Sequence, residues 1–440
     1  MLVGFSVSNV FSFYKETNMS MVANTSDTSF IGINAFPTGR KETLLKSALV
    51  YGANASGKSN LIKAFAYMRD VVTADLSAQQ RLIKGKTCFA LNSEAHSSPS
   101  EFSAMFIVDG VEYEYSFGVL DGKVVSEALS KNRNRRTAVF NRTSADYKSI
   151  ILTGRDFSNV EKFIENVRED TLFLSVAAMV NNPLAIMITD WFSNTYVSSN
   201  EEFDCPDSTA EFLSQCPNCK EKMHALLRTF DETLIEFDIV TERKTAKQFK
   251  EMLRTEMELP EAVEFPPSLR EARDDDIMQG VKYEAYRSVH DSEGATVGRN
   301  KNDFLFESNG TQKLLCIAGP ILSALETGGV VLLDEIDSRL HPLMVGRIVS
   351  MFNSIADNPK NAQLICATHN TLLLDDDIRR DQFYFAQKDA RGESTLYSLS
   401  DFNGVRKSSK IQKQYLLGAF GAVPKPADFS PGKPEAKGGY

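Results

Sequence analysis

The sequence lacks any stretch of about eighteen consecutive apolar residues, which excludes an ordinary transmembrane helix. Its start, Met-Leu-Val-Gly-Phe-Ser, has neither the basic segment nor the cleavable apolar segment of a secretory signal, so we expect a cytoplasmic protein with no membrane partner. Cysteine is sparse as well, with six residues scattered over 440 and two of them in predicted core elements. A disulfide framework is therefore not indicated, and we expect the cysteines to be reduced.

Positive charge is also in short supply. The 49 Lys and Arg against 58 Asp and Glu give a net charge of -9, which opposes broad binding to a phosphate backbone. One local exception is Lys131-Asn-Arg-Asn-Arg-Arg136, with Arg142 nearby. This run could contact nucleic acid or the acidic surface of a partner, or it is a solvated hairpin end, and the sequence leaves both open.

The most informative segment that is present is Tyr51-Gly-Ala-Asn-Ala-Ser-Gly-Lys-Ser-Asn60, which has the Gly-x4-Gly-Lys-Ser spacing of a phosphate-binding loop. Small residues let backbone N–H groups surround phosphates, Lys58 can reach the β- and γ-phosphates, and the Ser59 hydroxyl can coordinate Mg²⁺. Ser47 to Tyr51 predicts a short strand, and helical spacing of apolar residues follows Asn60. A strand, a glycine loop and a helix start predict a nucleotide site formed with Gly52 and Gly57.

A second motif, Gly329-Val-Val-Leu-Leu-Asp-Glu335, has the form of a Walker B strand. A strand buried on both faces of a parallel sheet is continuously apolar, and its carboxyl end opens onto the ligand crevice. Asp334 is therefore expected beside Mg²⁺, and Glu335 is expected to polarise the water that attacks the γ-phosphate. The alternative is an ordinary core strand that ends in two solvated acids.

Between these motifs lies Glu307-Ser-Asn-Gly-Thr-Gln312, followed by an apolar-periodic helix over 313 to 327. Ser308 and Gly310 fit the Ser-x-Gly turn of an ABC signature, whereas Asn309 and Thr311 depart from its commonest form. Taken alone, the same turn is a plain helix cap.

Two elements follow Walker B in order. Ile336-Asp-Ser-Arg-Leu-His-Pro342 occupies the place of a D-loop, and the predicted strand from Gln363 ends in Thr-His, where His369 matches a switch histidine. A neutral imidazole at that point can hydrogen-bond a γ-phosphate. Three other histidines are interpreted as structural or exposed, namely His96, His224 and His290. The role of His341 stays undecided.

This ordered set resembles the ABC-type ATPase heads of the SMC and OLD group. Together with Tyr415-Leu-Leu-Gly-Ala-Phe-Gly-Ala-Val-Pro424, it is similar to the stand-alone ATPases of bacterial abortive-infection and phage-defence operons, of which the AbiL-type ATPase is the nearest pattern and the PARIS and Septu ATPase subunits are relatives. The resemblance covers nearly the whole chain.

The resemblance implies a Mg²⁺-dependent ATPase that forms a head-to-tail homodimer or a higher oligomer, since the signature of one subunit completes the phosphate loop of the other. It also implies a separate effector protein, a nuclease, and a phage-encoded trigger. The ATP-binding residues that it implies are Gly52, Asn54, Ser56, Gly57, Lys58, Ser59, Asn60, Ser308, Gly310 and Asp337, with Ser59 and Asp334 at the metal and Glu335 and His369 as catalytic residues. The alternative is an SMC-like DNA-binding ATPase that serves repair.

The expected fold is α/β, an ABC-type P-loop head with a β-rich lobe and an inserted helical lobe. We expect a β-rich lobe over 1–150, a helical lobe over 151–280, a second ATPase segment over 281–424 and a flexible tail over 425–440. The first lobe should begin with a strand from Leu2 to Phe13 and contain hairpin turns at Asp109-Gly110 and Asp121-Gly122. The helical lobe should include a helix over 172 to 192, and the Pro- and acid-rich segment over 261 to 276 is expected to be a surface loop. No sustained heptad repeat is present, so no long coiled coil is expected. No glutamine between Asn141 and Asn182 offers the Q-loop that such heads use, and no acidic-cluster nuclease domain is evident after Asp401.

One metal hypothesis stays open. Cys216-Pro-Asn-Cys219 has the spacing of a zinc knuckle, and Cys205 and His224 could complete four ligands. Against zinc, only half of the usual two-pair pattern is present, and the segment also predicts a helix that starts near Pro217.

Overall fold

The computed structural model describes residues 1–198, 209, 212–213, 219–255, 265, 269–270, 272–303, 307–405 and 410–424. The strands are β1 Leu2–Ser8, β2 Thr17–Ser20, β3 Ala35–Pro37, β4 Thr43–Leu45, β5 Ser47–Tyr51, β6 Ser100–Val108, β7 Val111–Leu120, β8 Lys123–Asn132, β9 Arg136–Arg142, β10 Ile151–Leu152, β11 Thr195–Ser198, β12 Leu234–Thr245, β13 Ile277–His290, β14 Thr296–Asp303, β15 Val330–Leu333, β16 Gln363–Ala367, β17 Phe383–Lys388 and β18 Ser394–Ser398. The α-helices are α1 Lys58–Thr73, α2 Leu76–Ile83, α3 Phe173–Met179, α4 Pro183–Ser193, α5 Cys219–Phe230, α6 Ala246–Thr255, α7 Asn309–Thr327, α8 Pro342–Asn353 and α9 Ile411–Leu416.

The chain divides into two compact units. The first comprises Met1–Ser199, Gly328–Asp337 and Gly346–Tyr440, and the second comprises Asn200–Thr327 and Ser338–Val345. Each is described by itself below.

A seven-stranded antiparallel sheet forms one layer of the first unit, in the order β10-β9-β8-β7-β6-β1-β2. Asp109-Gly110 and Asp121-Gly122 connect its hairpins with positive φ at all four residues, as tight two-residue turns require. Both turns were predicted. The first strand ends at Ser8 instead of Phe13 because Asn9 and Phe11 take φ values of 54° and 50°, which lead the chain out of the sheet.

A six-stranded sheet, ordered β11-β15-β16-β5-β17-β18, carries the predicted motifs of the first unit. Its strands run parallel except β18, which pairs antiparallel with β17. The three central strands β15, β16 and β5 are buried along their whole length, which explains their continuously apolar sequences. Their carboxyl ends therefore meet at one edge of the sheet.

Helix α1 joins these layers in one core. Its predicted apolar face is buried, including Leu61, Ile62, Phe65 and Met68. The Phe65 ring meets the Phe5 ring edge to face at 5.0 Å, and both belong to a buried cluster that also includes residues of the parallel sheet. Because burying one such phenylalanine stabilises a fold by about 1.5–3 kcal/mol, this helix holds the glycine loop before it in a fixed position.

The segment over 415–424 packs on the same sheet. The ring of Phe385 in β17 stacks on Tyr415 at 5.4 Å and on Phe420 at 5.6 Å. The Tyr415 hydroxyl donates to the Ala422 carbonyl at 3.2 Å. The segment over 415–424 thus closes the sheet edge, and the predicted tail over 425–440 lies outside the described residues.

Two features depart from the predicted helices of the middle region. The single helix expected over 172 to 192 is two, α3 and α4, because Asn181 takes a φ of 59° and Asn182 caps a helix that begins with Pro183. In the second unit, β12, β13 and β14 form a three-stranded antiparallel sheet that we had not predicted. The acidic loop expected over 261 to 276 lies largely outside the described residues.

The described helices are short. The longest, α7, has 19 residues, so the described part of the chain contains no long coiled coil, as expected. No single described helix is long and apolar enough to cross a membrane, although α3 and α4, bent by 110° at their break, would together pass by length and composition.

The basic run over 131–136 forms the tip of the β8–β9 hairpin. We had grouped Arg142 with this basic run as a possible contact surface, and that grouping is wrong because Arg142 is buried. Its side chain is completely buried and donates to four backbone carbonyls, including those of Thr171 at 2.8 Å and Ala145 at 2.8 Å. The buried carboxylate of Glu127 lies 3.9 Å away and accepts the first N–H groups of α3. Arg142 is a structural cation, whereas Arg136 lies at the surface and pairs with Glu114.

This difference predicts unequal stability effects for two arginines of one strand. Arg142→Met should lower the free energy of unfolding by about 3–5 kcal/mol, because it leaves Glu127 buried without its cation. The matched Arg136→Met should change it by less than about 1 kcal/mol, since the ion pair that it removes is exposed. Urea denaturation followed by circular dichroism measures both, and equal midpoints for the two variants would contradict the assignment.

Candidate nucleotide-binding site

The loop between β5 and α1 follows a path that only small residues allow. Gly57 takes a φ of 113°, and a Cβ there would collide with the Ser394 side chain. A Cβ on Gly52 would meet the carbonyl oxygen of Ala386. The alanine between them, Ala55, also has a positive φ, of 61°. The loop is therefore wound tightly against β17 and β18, with α1 starting at Lys58, as a phosphate cradle requires.

Lys58 lies inside this loop. Its side chain is 5% exposed, and Nζ donates to the carbonyls of Gly52 at 3.0 Å and Ala53 at 3.1 Å. Burial lowers the pKa of the ammonium, while the charges of Asp334, Glu335 and Asp337 act in the opposite direction. A cation held at the centre of a loop and faced by carboxylates is placed to bind an anionic ligand such as a phosphate chain.

Asp334 follows β15 and lies beside the start of α1. It is 3% exposed, and the Ser59 hydroxyl hydrogen-bonds its carboxylate. Burial raises the pKa of Asp334, and the neighbouring charge of Glu335 raises it further. Its Oδ1 atom is buried without a hydrogen-bond partner among the described residues, and so is Oγ of Ser56.

These unmatched oxygens fit a divalent cation and phosphate. Buried polar atoms are usually paired, so the Oδ1 atom of Asp334 is available to a ligand at this position. Ser59 and Asp334 offer the hard oxygen donors that Mg²⁺ prefers, and Ser56 lies in the loop that would surround phosphate. A bound Mg²⁺ would neutralise phosphate charge at this point.

Glu335 and Asp337 lie at the same edge. Glu335 is exposed and takes a φ of 42°, which is unusual for a residue with a side chain and typical of functional positions. Asp337 accepts the backbone N–H of His369 at 3.0 and 3.1 Å. Between these two residues, the Ile336 N–H donates to the Ala367 carbonyl at 3.1 Å. This hydrogen bond joins the ends of β15 and β16.

His369 follows β16 at this edge of the sheet, where its backbone N–H meets Asp337. Burial lowers the pKa of its imidazole, and the charge of Lys58 lowers it further, against the opposing effect of Asp337, Glu335 and Asp334. This environment favours the neutral ring. A neutral imidazole near Lys58 can donate one hydrogen bond to an anionic ligand without adding charge.

Two residues beside the loop, Ser12 and Ser394, were not predicted from the sequence. Asn60 directs its side chain to the Ser12 hydroxyl at 2.8 Å, and Ser12 also accepts from the Ser394 hydroxyl at 2.9 Å. Asn54, by contrast, is exposed at the loop tip. Ser12 follows β1 and Ser394 begins β18, so only the sheet arrangement brings them together. The one sequence signal was the polar pair at Asn9 and Ser12 inside an apolar run.

The signature turn belongs to the second unit. Ser308 Oγ accepts the Thr311 N–H at 3.2 Å, so it caps the start of α7, and it also contacts the Thr311 hydroxyl at 2.9 Å. A Cβ on Gly310 would lie 3.0 Å from the carbonyl oxygen of Arg339, which explains the glycine. Ser308 and Asn309 are exposed. The turn is a helix cap in the described chain, at the positive end of the α7 dipole.

The other histidines have local partners. His341 Nδ1 accepts the Leu343 N–H at 3.3 Å near the start of α8, which settles it as a cap. His290 lies 3.4 Å from the Thr296 hydroxyl, and His224 contacts the backbone of Phe237 at 3.0 and 3.1 Å. His96 contacts Cys88 instead of a backbone group.

The cysteines correct one expectation. Cys219 and Cys316 each belong to a disulfide, whereas Cys88 and Cys366 are free thiols. We had expected all of them to be reduced, because the spacing of scattered cysteines does not reveal which meet in space. The disulfide of Cys219 leaves it unsuited to zinc, and no group of three metal-binding side chains occurs among the described residues. Cys205 and Cys216 lie outside them.

Comparison with known proteins assigns the family. The family described as "AAA domain, putative AbiEii toxin, Type IV TA system" matches residues 47–375, from the start of β5 to beyond His369. The chain belongs to this family. It is therefore an AAA-type ATPase domain, which implies nucleotide and Mg²⁺ as ligands of the site described above.

The ATPase matches no curated protein. Among solved structures it is similar to the "Crystal structure of the SmcHead bound to the C-winged helix domain of ScpA", with 13% identity, a TM-score of 0.43, and coverage of 90% of this chain and 97% of that one. It is also similar to the SMC head domain from Thermotoga maritima, with 13% identity, a TM-score of 0.39, and coverage of 90% and 98%.

Removing the buried cation should abolish nucleotide binding. Lys58→Ala removes the charge at the centre of the loop together with its two carbonyl contacts, and we expect no measurable ATP binding by titration calorimetry. Lys63→Ala, on the same helix, is the control and should bind like the wild type. ATP affinity that survives in Lys58→Ala would show that phosphate is held elsewhere.

The environment of His369 also predicts its titration. Because burial and Lys58 favour the neutral ring, the midpoint should lie below the ordinary value of 6.5. NMR titration of the imidazole, assigned with His369→Gln, measures it. The Lys58→Ala variant should shift the midpoint upward, since it removes a positive charge that disfavours protonation. A midpoint above 6.5 in the wild type would contradict this environment.

Proposed function

We propose that the ATPase hydrolyses ATP as a Mg²⁺-dependent, ABC-type ATPase, the sensor or motor subunit of a bacterial defence complex whose effector is a separate polypeptide. ATP hydrolysis is supported by the edge of the parallel sheet, where four side chains lie close enough for their charges to shift the pKa values of Lys58 and His369. These side chains are Lys58, Asp334, Glu335 and His369. A phosphate loop, a buried metal-type carboxylate and two polar groups for water and phosphate are the parts that phosphoryl transfer to water needs.

Each side chain has a distinct task in this reaction. Lys58 and the loop N–H groups would bind the phosphate chain, and Ser59 with Asp334 would hold Mg²⁺. Glu335, which is exposed and follows the metal carboxylate, accepts the proton of the attacking water. His369 donates to the γ-phosphate and so responds to its presence. Asp337 keeps the His369 backbone in place through the two contacts at 3.0 and 3.1 Å.

The signature turn supports head-to-tail dimerisation. Ser308 and Gly310 lie at the start of the 19-residue α7, where the positive end of the helix dipole favours an anion. In ABC ATPases, which this chain resembles, this turn contacts the γ-phosphate held by the other subunit. Two chains arranged head to tail would then enclose two ATP molecules, and a monomer would hold only half of each site.

The defence role is supported by two independent likenesses. The family's description names a toxin of a type IV toxin–antitoxin system. The motifs quoted above resemble the AbiL-type ATPase and, less closely, the ATPase subunits of the PARIS and Septu systems. By the same resemblance, the proposed effector is a second protein, a nuclease, and a phage product is its trigger.

A test of the defence role uses the gene in its operon. Cells that carry the operon should resist phage, and Lys58→Ala should remove the resistance while Lys63→Ala retains it. A tagged protein should co-purify with the product of the neighbouring gene. Full resistance with Lys58→Ala would exclude an ATP-dependent role in defence.

The water-activating carboxylate gives a further prediction. Glu335→Gln should bind ATP normally but hydrolyse it at least ~100-fold more slowly, the order expected for loss of a general base. Glu326→Gln, an exposed carboxylate of α7, is the matched control and should hydrolyse at the wild-type rate. Steady-state phosphate release measures both. Equal turnover in Glu335→Gln and the wild type would assign the base to another residue.

A further inference from the structure

Cys88 and His96 form a thiol–imidazole pair that the nucleotide site does not use. Sγ of Cys88 lies 3.4 Å from Nδ1 of His96. Cys88 is a free thiol and half-buried, whereas the other free thiol that the structure describes, Cys366, is completely buried. The pair lies between α2 and β6. An imidazole at this distance can take the thiol proton and leave the thiolate, which is the reactive form of cysteine.

The pair opens into a pocket of about 420 Å³. Lys84 and Lys86 line it on one side and Asp121 on another. Lys84 pairs with Asp170 at 3.2 Å, whereas exposed Lys86 makes no ion pair within the described part of the chain. Because Asp170 compensates Lys84, Lys86 is the lysine of this pocket that stays available to a carboxylate of a small molecule.

The pocket is connected to the phosphate loop through the segment after β1. Asn9 holds both sides of the pair, since it accepts the Phe89 N–H at 3.0 Å and donates to the carbonyls of Ala95 at 2.7 Å and Ser98 at 2.9 Å. The Phe11 N–H donates to the Thr87 carbonyl, next to Cys88, at 2.7 Å.

The following residue in that segment, Ser12, is the partner of Asn60 at 2.8 Å, directly after the Lys58-Ser59 pair of the phosphate loop. It also contacts the Ser394 side chain that closely abuts Gly57. Two hydrogen-bonded steps thus separate the Cys88 backbone from the loop that would hold phosphate.

We infer that Cys88 is a thiol-modification site, which forms a mixed disulfide with an anionic low-molecular-mass disulfide of the glutathione type, and that this adduct weakens nucleotide binding. His96 takes the proton of the Cys88 thiol, and Sγ attacks one sulfur of the disulfide. The disulfide S–S bond breaks, a bond from Cys88 to that sulfur forms, and the departing thiolate takes the proton from His96. Cys88 is oxidised, one half of the small disulfide is reduced to a thiol, and no other oxidant is needed.

The adduct acts on the loop through steric displacement. A tripeptide attached to Cys88 occupies the pocket and shifts the backbone at Thr87, which carries the hydrogen bond to Phe11. That shift passes to Ser12 and removes the support of Asn60 and Gly57. Because such coupling is reciprocal, bound ATP would weaken the adduct by the same factor. This second step rests on nucleotide binding at the phosphate loop, whereas the modification does not.

The chemical test treats the full-length protein with glutathione disulfide and follows each cysteine peptide by mass spectrometry. Cys88 should acquire one glutathionyl group while Cys366 stays unmodified, and Cys88→Ser should acquire none at this position. His96→Asn should react at least about tenfold more slowly, because it lacks the base. Lys86→Ala should slow the reaction with glutathione disulfide but not with neutral 2-hydroxyethyl disulfide. No adduct at Cys88, or equal rates in wild type and His96→Asn, would overturn the site.

The functional test measures ATP affinity by calorimetry before and after modification. The adduct should raise the Kd at least about fivefold, within the usual range of coupling between sites, and reduction with dithiothreitol should restore it. Cys88→Ser treated in the same way should keep its affinity. An adduct that leaves the Kd unchanged would overturn the coupling alone. If the unmodified wild type failed to bind ATP, the proposed function would fall while the modification result stood.

Discussion

The burial of charge at one sheet edge is the constraint on which the site depends. Lys58 is 5% exposed and Asp334 is 3% exposed, and removing such groups from water costs several kcal/mol each unless partners compensate. The loop carbonyls of Gly52 and Ala53 compensate Lys58, and the Ser59 hydroxyl partly compensates Asp334. What remains is a buried carboxylate oxygen without a partner among the described residues. The protein therefore maintains a site that a cation and a phosphate chain would complete.

That edge exists because the parallel strands β5, β15 and β16 are buried on both faces and end together. The antiparallel sheet and α1 supply the apolar cover, and the glycine loop fits against β17 and β18 only because Gly52 and Gly57 lack side chains. The segment at Asn9 to Ser12 connects this loop with the pocket of Cys88 and His96, and it is the route that we propose for an effect of Cys88 modification on nucleotide binding. The family match is consistent with a nucleotide site at this edge. In the proposed dimer, the exposed helix cap at Ser308 would face the nucleotide of the second subunit.

Much of the arrangement at this sheet edge was predictable from sequence, because motif spacing indicates which elements carry Lys58, Asp334 and His369. Other features depend on contacts between distant segments. Ser12 and Ser394 meet only through strand order, and the burial of Arg142 depends on carbonyls near residue 170 that no local pattern indicates. The thiol–imidazole pair joins residues eight apart through the bend of a loop, which periodicity cannot reveal. The unpredicted sheet of β12 to β14 has long polar strands, whose alternation is weaker than that of a core strand.

The most direct test of the central claim, an ATP site completed by a second subunit, is complementation between two inactive variants. Ser308→Arg should bind ATP but not hydrolyse it, since a bulky cation would block closure over the partner's γ-phosphate, and Lys58→Ala should not bind ATP. In a mixed dimer, one composite site carries both lesions and the other carries neither. The account predicts that mixing restores phosphate release to about half of the wild-type rate per mixed dimer, provided that one site can fire alone. Full activity of Ser308→Arg by itself would contradict the account, because the site would then be complete within one chain.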